Sequence, residues 1–96
     1  MNLYQQIENR REEILRVAED HGARNIRMIG SMARGEAHEG SDLDLLVKFD
    51  RGRTLLDHAA LMLALEDLLG LKVDVASERG LRPRVRSRVL AEARPL

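Results

Sequence analysis

Ninety-six residues with no cysteine and a formal charge of zero describe one small domain with a single core, spanning 1–96. Without cysteine there are neither disulfides nor thiolate metal sites, so a reducing, cytoplasmic setting is expected. The neutral balance excludes a general nucleic-acid binder, no stretch is apolar enough for a membrane span, and the charged N-terminus is not a signal peptide.

The chain alternates helices and strands without repeats. Leu3, Ile7, Ile14, Val17 and Ala18 recur on one face of a helix from Leu3 to about His21, stopped by Gly22. Asn25 to Ile29 is a short strand in which Ile26 and Met28 alternate with Arg27. Gly30 to Ser41 forms a turn, a one-turn helix ended by Gly35, and a loop. Ser41 to Phe49 is the second strand. Thr54 and Asp57 resemble a capping box for a helix running to about Leu69 and ended by Gly70. Leu71 to Ala76 is the third strand, and Pro83 opens a last helix to about Ala93. The expected fold class is α/β (α+β), a small mixed sheet covered by helices.

The chemistry concentrates in GSMARGEAHEGSDLDLLVK, residues 30–48. Side chains at i and i+2 of a strand share a face. Leu43, Leu45 and Val47 therefore point one way, and Asp42, Asp44 and Leu46 the other. In LKVDVA, Leu71, Val73 and Val75 separate likewise from Lys72, Asp74 and Ala76. If both strands lay their apolar faces on one core, Asp42, Asp44 and Asp74 meet on one surface. Three carboxylates so placed repel one another unless a cation is bound. Mg²⁺ takes one or two carboxylates together with substrate phosphates and water. Two such ions stabilise the attacking and leaving oxygens of a phosphoryl displacement. Gly30 lets the backbone approach a phosphate, and Ser31 offers one more hydrogen bond. Arg34 either reaches a phosphate or pairs with an acid of its own loop. A Gly-Ser pair alone is an ordinary turn and D-x-D alone a solvated strand end. A lone aspartate between valines is more unusual, and the order and spacing of the three together are specific.

On these residues the chain resembles the DNA polymerase beta-like nucleotidyltransferase superfamily, whose signature is Gly-Ser, a spacer, Asp-x-Asp and a later Asp. It resembles most closely the minimal nucleotidyltransferase (MNT) family. Gly30, Ser31, Ala33, Arg34, Gly35, Ser41, Asp42, Asp44 and Asp74 fall on matching positions. Ile29 stands where many relatives carry an aromatic residue, a packing change without expected effect on chemistry. The resemblance implies the nucleotidyltransferase fold, with catalytic and metal-holding Asp42, Asp44 and Asp74 and nucleotide-binding Gly30, Ser31 and Arg34. It implies Mg²⁺, two ions, with ATP as substrate. The implied partner is a HEPN-domain toxin, modified by AMP on a hydroxyl, that of a tyrosine. The alternative is an antitoxin that neutralises by masking alone. A third reading, transfer to a small molecule, needs an acceptor pocket for which this chain is too short.

Two helices carry features outside that motif. The Leu55–Leu69 helix has more apolar residues than one buried face needs, so it fits either a crowded groove or a partner. In the last helix Leu81, Val85, Val89 and Ala93 form one stripe, while the stretch from Arg79 to Arg94 inclusive holds six arginines and only Glu92 as an acid. That basic surface is either solvated or a docking site for the partner or the triphosphate. His21, His38 and His58 have no metal-ligand company and read as structural.

Overall fold

The computed structural model describes residues 2–96. Its elements are α1 (Leu3–Asn9), α2 (Arg11–Asp20), β1 (Ala23–Ile29), α3 (Gly30–Arg34), β2 (Leu43–Phe49), α4 (Leu55–Leu69), β3 (Val73–Ser77), a 3₁₀ turn (Glu78–Gly80), α5 (Pro83–Glu92) and β4 (Arg94–Pro95). The sheet order is β3-β2-β1-β4. β1 is antiparallel to β2 and β4, while β2 and β3 are parallel. Parallel neighbours need a crossover, and α4 supplies it.

The strand parity expected from the sequence places the core. Leu43, Leu45, Val47, Val73 and Val75 lie on one face, packed with Ile14 and Ala18 of α2 and Leu61, Leu65 and Leu69 of α4. No helix among the described residues is long and apolar enough to cross a membrane.

Four departures from the expected elements have physical causes. The first helix breaks at Arg10, whose φ of −107° and ψ of 11° leave the helical range. That break frees α1 to reach elsewhere: Gln6 Nε2 donates to Leu69 O at 2.9 Å, and the Tyr4 hydroxyl accepts from Ala37 N at 3.2 Å. β1 starts two residues early and contains a bulge between Arg24 and Arg27, with Asn25 at φ 54°. Asparagine tolerates that left-handed conformation, and the extra residue puts Ala23 and Ile26 on the same buried side. β2 begins only at Leu43 and β3 only at Val73, so Asp42 precedes its strand. The fourth departure is α5, which buries none of its residues. Its expected apolar stripe is largely open, with Val85 exposed and Val89 half-buried.

The caps follow the sequence. Thr54 and Asp57 close a capping box, with Thr54 N donating to Asp57 Oδ2 at 2.8 Å, and Gly70 ends α4 in the left-handed region. α4 keeps its apolar surplus at the surface, where Leu55, Leu56 and Leu63 are exposed.

Candidate active site

Strand β1 runs directly into Gly30, whose φ of +68° suits a residue without a side chain. A Cβ here would lie 2.5 Å from Asp44 Oδ2, so the carboxylate sits against the glycine backbone and no larger residue fits beneath it. The register explains this closeness: Ile29 pairs with Asp44 across the antiparallel ladder, and Asp44 pairs with Asp74 across the parallel one. The end of β1 and two adjacent carboxylates therefore meet at one end of the strands. Asp44 is half-buried, Asp74 exposed, and Asp42 exposed at the mouth of β2.

Burial pushes the Asp44 carboxyl above its usual range. The Asp74 carboxylate, within hydrogen-bonding reach, pushes it further, as does Asp42; Arg34 opposes them. Among the described residues no three acids or histidines close into a ready-made metal cage. Mg²⁺ does not need one, because it keeps waters and takes the rest of its shell from substrate phosphates. Hard carboxylate oxygens gathered at a cost to one another match that ion, and the donor set fits it.

Short α3 carries Ser31 and Arg34 at this end of the strands and stops at Gly35, φ +74°. The Ser31 hydroxyl makes no hydrogen bond to the described residues, whereas Ser31 O accepts from Glu36 N at 2.9 Å. Arg34 sits between two acids: Nε is 3.2 Å from Glu36 Oε2 and Nη1 is 3.5 Å from Glu92 Oε2. These pairs raise its pKa further, the Glu36 hydrogen bond first. Arg34 thus meets the loop acid that the sequence offered as one of its partners, together with an acid of α5. Among the described residues Nη2 makes no ion pair, and Arg34 lies near enough to Asp44 to lower its pKa.

The loop leading to Asp42 is pinned rather than loose. Ser41 Oγ accepts from His38 N, and Ser41 N donates to His38 O, both at 2.9 Å. Tyr4 holds the other end through Ala37. A cleft of about 1000 Å³ opens here, lined by Ser41, Asp42, Gly40, Lys72 and Tyr4 among others. The histidines are structural in their contacts. His58 Nε2 hydrogen-bonds Val75 O with its ring 5.4 Å from Phe49, and the Nδ1 atoms of His21 and His38 bond Val17 O and Glu39 O at 2.8 Å.

Sequence reasoning missed two features of this face. Arg27 Nη2 and Glu78 Oε2 are 2.6 Å apart, with side chains only 12% and 17% exposed. Because β2 lies between β1 and β3, this pair spans Leu46, which is fully buried although it shares the acid face. Parity offered a signal on one side only: Arg27 is two residues from Ile29 on β1, whereas Glu78 lies in the 3₁₀ turn beyond β3. Glu92, the lone acid of an arginine-rich stretch, gives no sign in the sequence that Arg34 is its partner.

A family model described as "Nucleotidyltransferase domain" matches residues 10–96. Among curated proteins, MJ0435 of Methanocaldococcus jannaschii, provisionally named a protein adenylyltransferase, is 39% identical over 83 residues, covering 86% of this chain and 89% of its own. Protein adenylyltransferase MntA of Thermococcus cleftensis is 43% identical over 74 residues, 77% of this chain and 75% of that one. A solved structure provisionally described as a minimal nucleotidyltransferase superposes with a TM-score of 0.89 at 60% identity, covering 100% of this chain and 97% of that one. A crystal structure of a toxin-antitoxin with AMP-PNP gives a TM-score of 0.75 at 21% identity, covering 88% of this chain and 69% of that one, a likeness of fold.

Proposed function

The chain belongs to the nucleotidyltransferase domain family, and on that premise we propose that it transfers AMP from ATP to a hydroxyl, that of a tyrosine, on a HEPN-domain toxin, acting as the antitoxin of the pair. The observation that carries this reading is the meeting of Asp44, Asp74 and the Gly30 backbone at one end of the strands. A protein that only masked its partner would have no use for a half-buried carboxyl held against two others at a cost to ionisation. The names of relatives, protein adenylyltransferases among them, support the reaction class.

Asp42, Asp44 and Asp74 would hold Mg²⁺. When bound, it supplies charge to offset the triphosphate and the leaving pyrophosphate. Gly30 lets the Asp44 carboxylate lie against the backbone at the start of α3, the unengaged Ser31 hydroxyl would donate to a phosphate oxygen, and Arg34 would add positive charge through its remaining Nη2 donors. The cleft beside Asp42 and Lys72 offers space for the remainder of the nucleotide. A tyrosine hydroxyl, with an ordinary pKa of ~10, must lose its proton to attack the α-phosphate. Asp74, which is exposed, would receive it from an acceptor arriving from solvent. The new bond joins the hydroxyl oxygen to the α-phosphorus, and the bond to the β-phosphate bridging oxygen breaks.

Intact-mass measurement of the toxin after incubation with this protein, Mg²⁺ and each nucleotide tests the proposal. One or more added adenylyl groups are expected with wild type, and none with Asp42→Asn/Asp44→Asn. A double variant that silences the toxin as well as wild type does would assign neutralisation to masking instead.

A further inference from the structure

We propose that the outer face of α4 is a self-association surface, on which a second copy of this chain lays its own α4 antiparallel about a two-fold axis at Ala59. This surface is independent of the transfer reaction. α4 carries two apolar faces. Leu61, Leu65 and Leu69 enter the core. Leu55, Leu56, Ala59, Ala60 and Leu63 are all exposed, Leu55 at 84%, Leu56 at 82% and Leu63 at 61%. The spacing of these five gathers them into one stripe along the helix, without a charge inside it. A continuous apolar strip left in water marks a contact surface. It faces away from the sheet, whose opposite face carries Asp44 and Asp74, so the acids stay clear of it.

The charges at its two ends determine which occupant fits. In the turn before α4, Arg51 is exposed and has no ion pair among the described residues; near the other end, Asp67 is exposed and also has none among them. The strip is therefore basic before its N-terminus and acidic towards its C-terminus. A second copy laid antiparallel sets Asp67 against Arg51 at both ends. Within the helix Leu55 and Leu63 stand four residues either side of Ala59, while Arg51 in the preceding turn and Asp67 near the C-terminus mark the two ends. Each copy thus offers the same patch to the other, as an isologous contact requires. Antiparallel packing also opposes the helix dipoles, whereas a parallel pair would align them and bring like charges together. Alanines at 59 and 60 let the axes approach to about 9–10 Å. One helix pair falls short of the ~1,200 Å² typical of stable complexes, so a dimer in roughly micromolar equilibrium is expected.

The absence of cysteine makes the test clean. Ala59→Cys should give a disulfide-linked dimer on mild oxidation, because Cα atoms facing across a two-fold axis at this separation fall within the ~4.4–6.8 Å a disulfide spans. Ser87→Cys, on exposed α5, should remain monomeric under the same treatment. In sedimentation equilibrium at low salt, Arg51→Asp and Asp67→Arg should each weaken the dimer about tenfold, and their combination should return it to near the wild-type constant. Three results would overturn the proposal. Wild type could stay monomeric at several hundred micromolar; the combined reversal could weaken association as much as both single changes added; or the Ala59→Cys and Ser87→Cys variants could cross-link alike. Binding of the toxin to this strip by a chain that is itself monomeric would assign the surface to a different partner and also overturn it.

Discussion

On one face of the sheet, Leu43, Leu45, Val47, Val73 and Val75 lie under α2 and α4, and no buried side-chain polar atom among the described residues is left without a partner. On the other face Asp44 and Asp74 stand side by side, with the Arg27–Glu78 pair crossing Leu46 one step away. Both faces come from the same two strands, alternate residues being given over to packing and to charge. The comparison shows where folding free energy resides: in the apolar half, while the acid half holds a cluster that opposes its own ionisation. In a chain this small the two are tightly linked, since total stability is only of order 5–15 kcal/mol.

The largest expected effect lies on the packed face. Leu65→Ala removes a fully buried side chain of α4 and should cost about 2–5 kcal/mol in urea denaturation. A cost below about 1 kcal/mol would contradict the assignment of stability to this face. Smaller is the effect of Arg27→Ala, which leaves Glu78 nearly buried without its partner. A loss of up to about 3 kcal/mol is expected, part of it recovered by Arg27→Ala/Glu78→Ala. No recovery in the double variant would show that Arg27 acts through packing on Leu46 and not through charge.

The smallest effect has the opposite sign. Asp44→Asn should stabilise the metal-free protein at neutral pH by a fraction of a kcal/mol, because the site is partly open to solvent. Its pH dependence follows from the raised pKa. The folded protein holds the Asp44 proton more tightly than the unfolded chain does, so this group's penalty is absent below the ordinary carboxylate pKa. It develops as pH rises through the raised value and is complete above it. Melting temperatures of wild type and variant across that range should converge in acid and separate towards neutrality, with the variant higher.

Much of the fold and most of the candidate site were legible because local rules and global packing agree there. Alternation in LDLLV and VDV placed the core face, and Gly30, Gly35 and Gly70 marked turns that need left-handed backbone. Illegible were features set by tertiary geometry. The bulge at Asn25 depends on pairing with β2, and the break at Arg10 on what α1 reaches through Tyr4 and Gln6. The Arg27–Glu78 pair joins residues 51 positions apart, and Arg34 finds Glu92 only because α5 comes to rest beside α3. Leu46 shows the limit of parity alone: it lies on the acid face, yet it is fully buried, beside Arg27 across the ladder.

The central claim, that the acid face receives a metal-bound nucleoside triphosphate, is tested most directly by titration calorimetry of ATP with and without Mg²⁺. The account predicts tight binding with Mg²⁺ and at least about tenfold weaker binding without it, a difference of ~1.4 kcal/mol or more, because three unneutralised carboxylates would then face the phosphates. In Asp44→Asn that dependence should shrink. Equal affinity for ATP with and without Mg²⁺ in the wild-type protein would contradict the account.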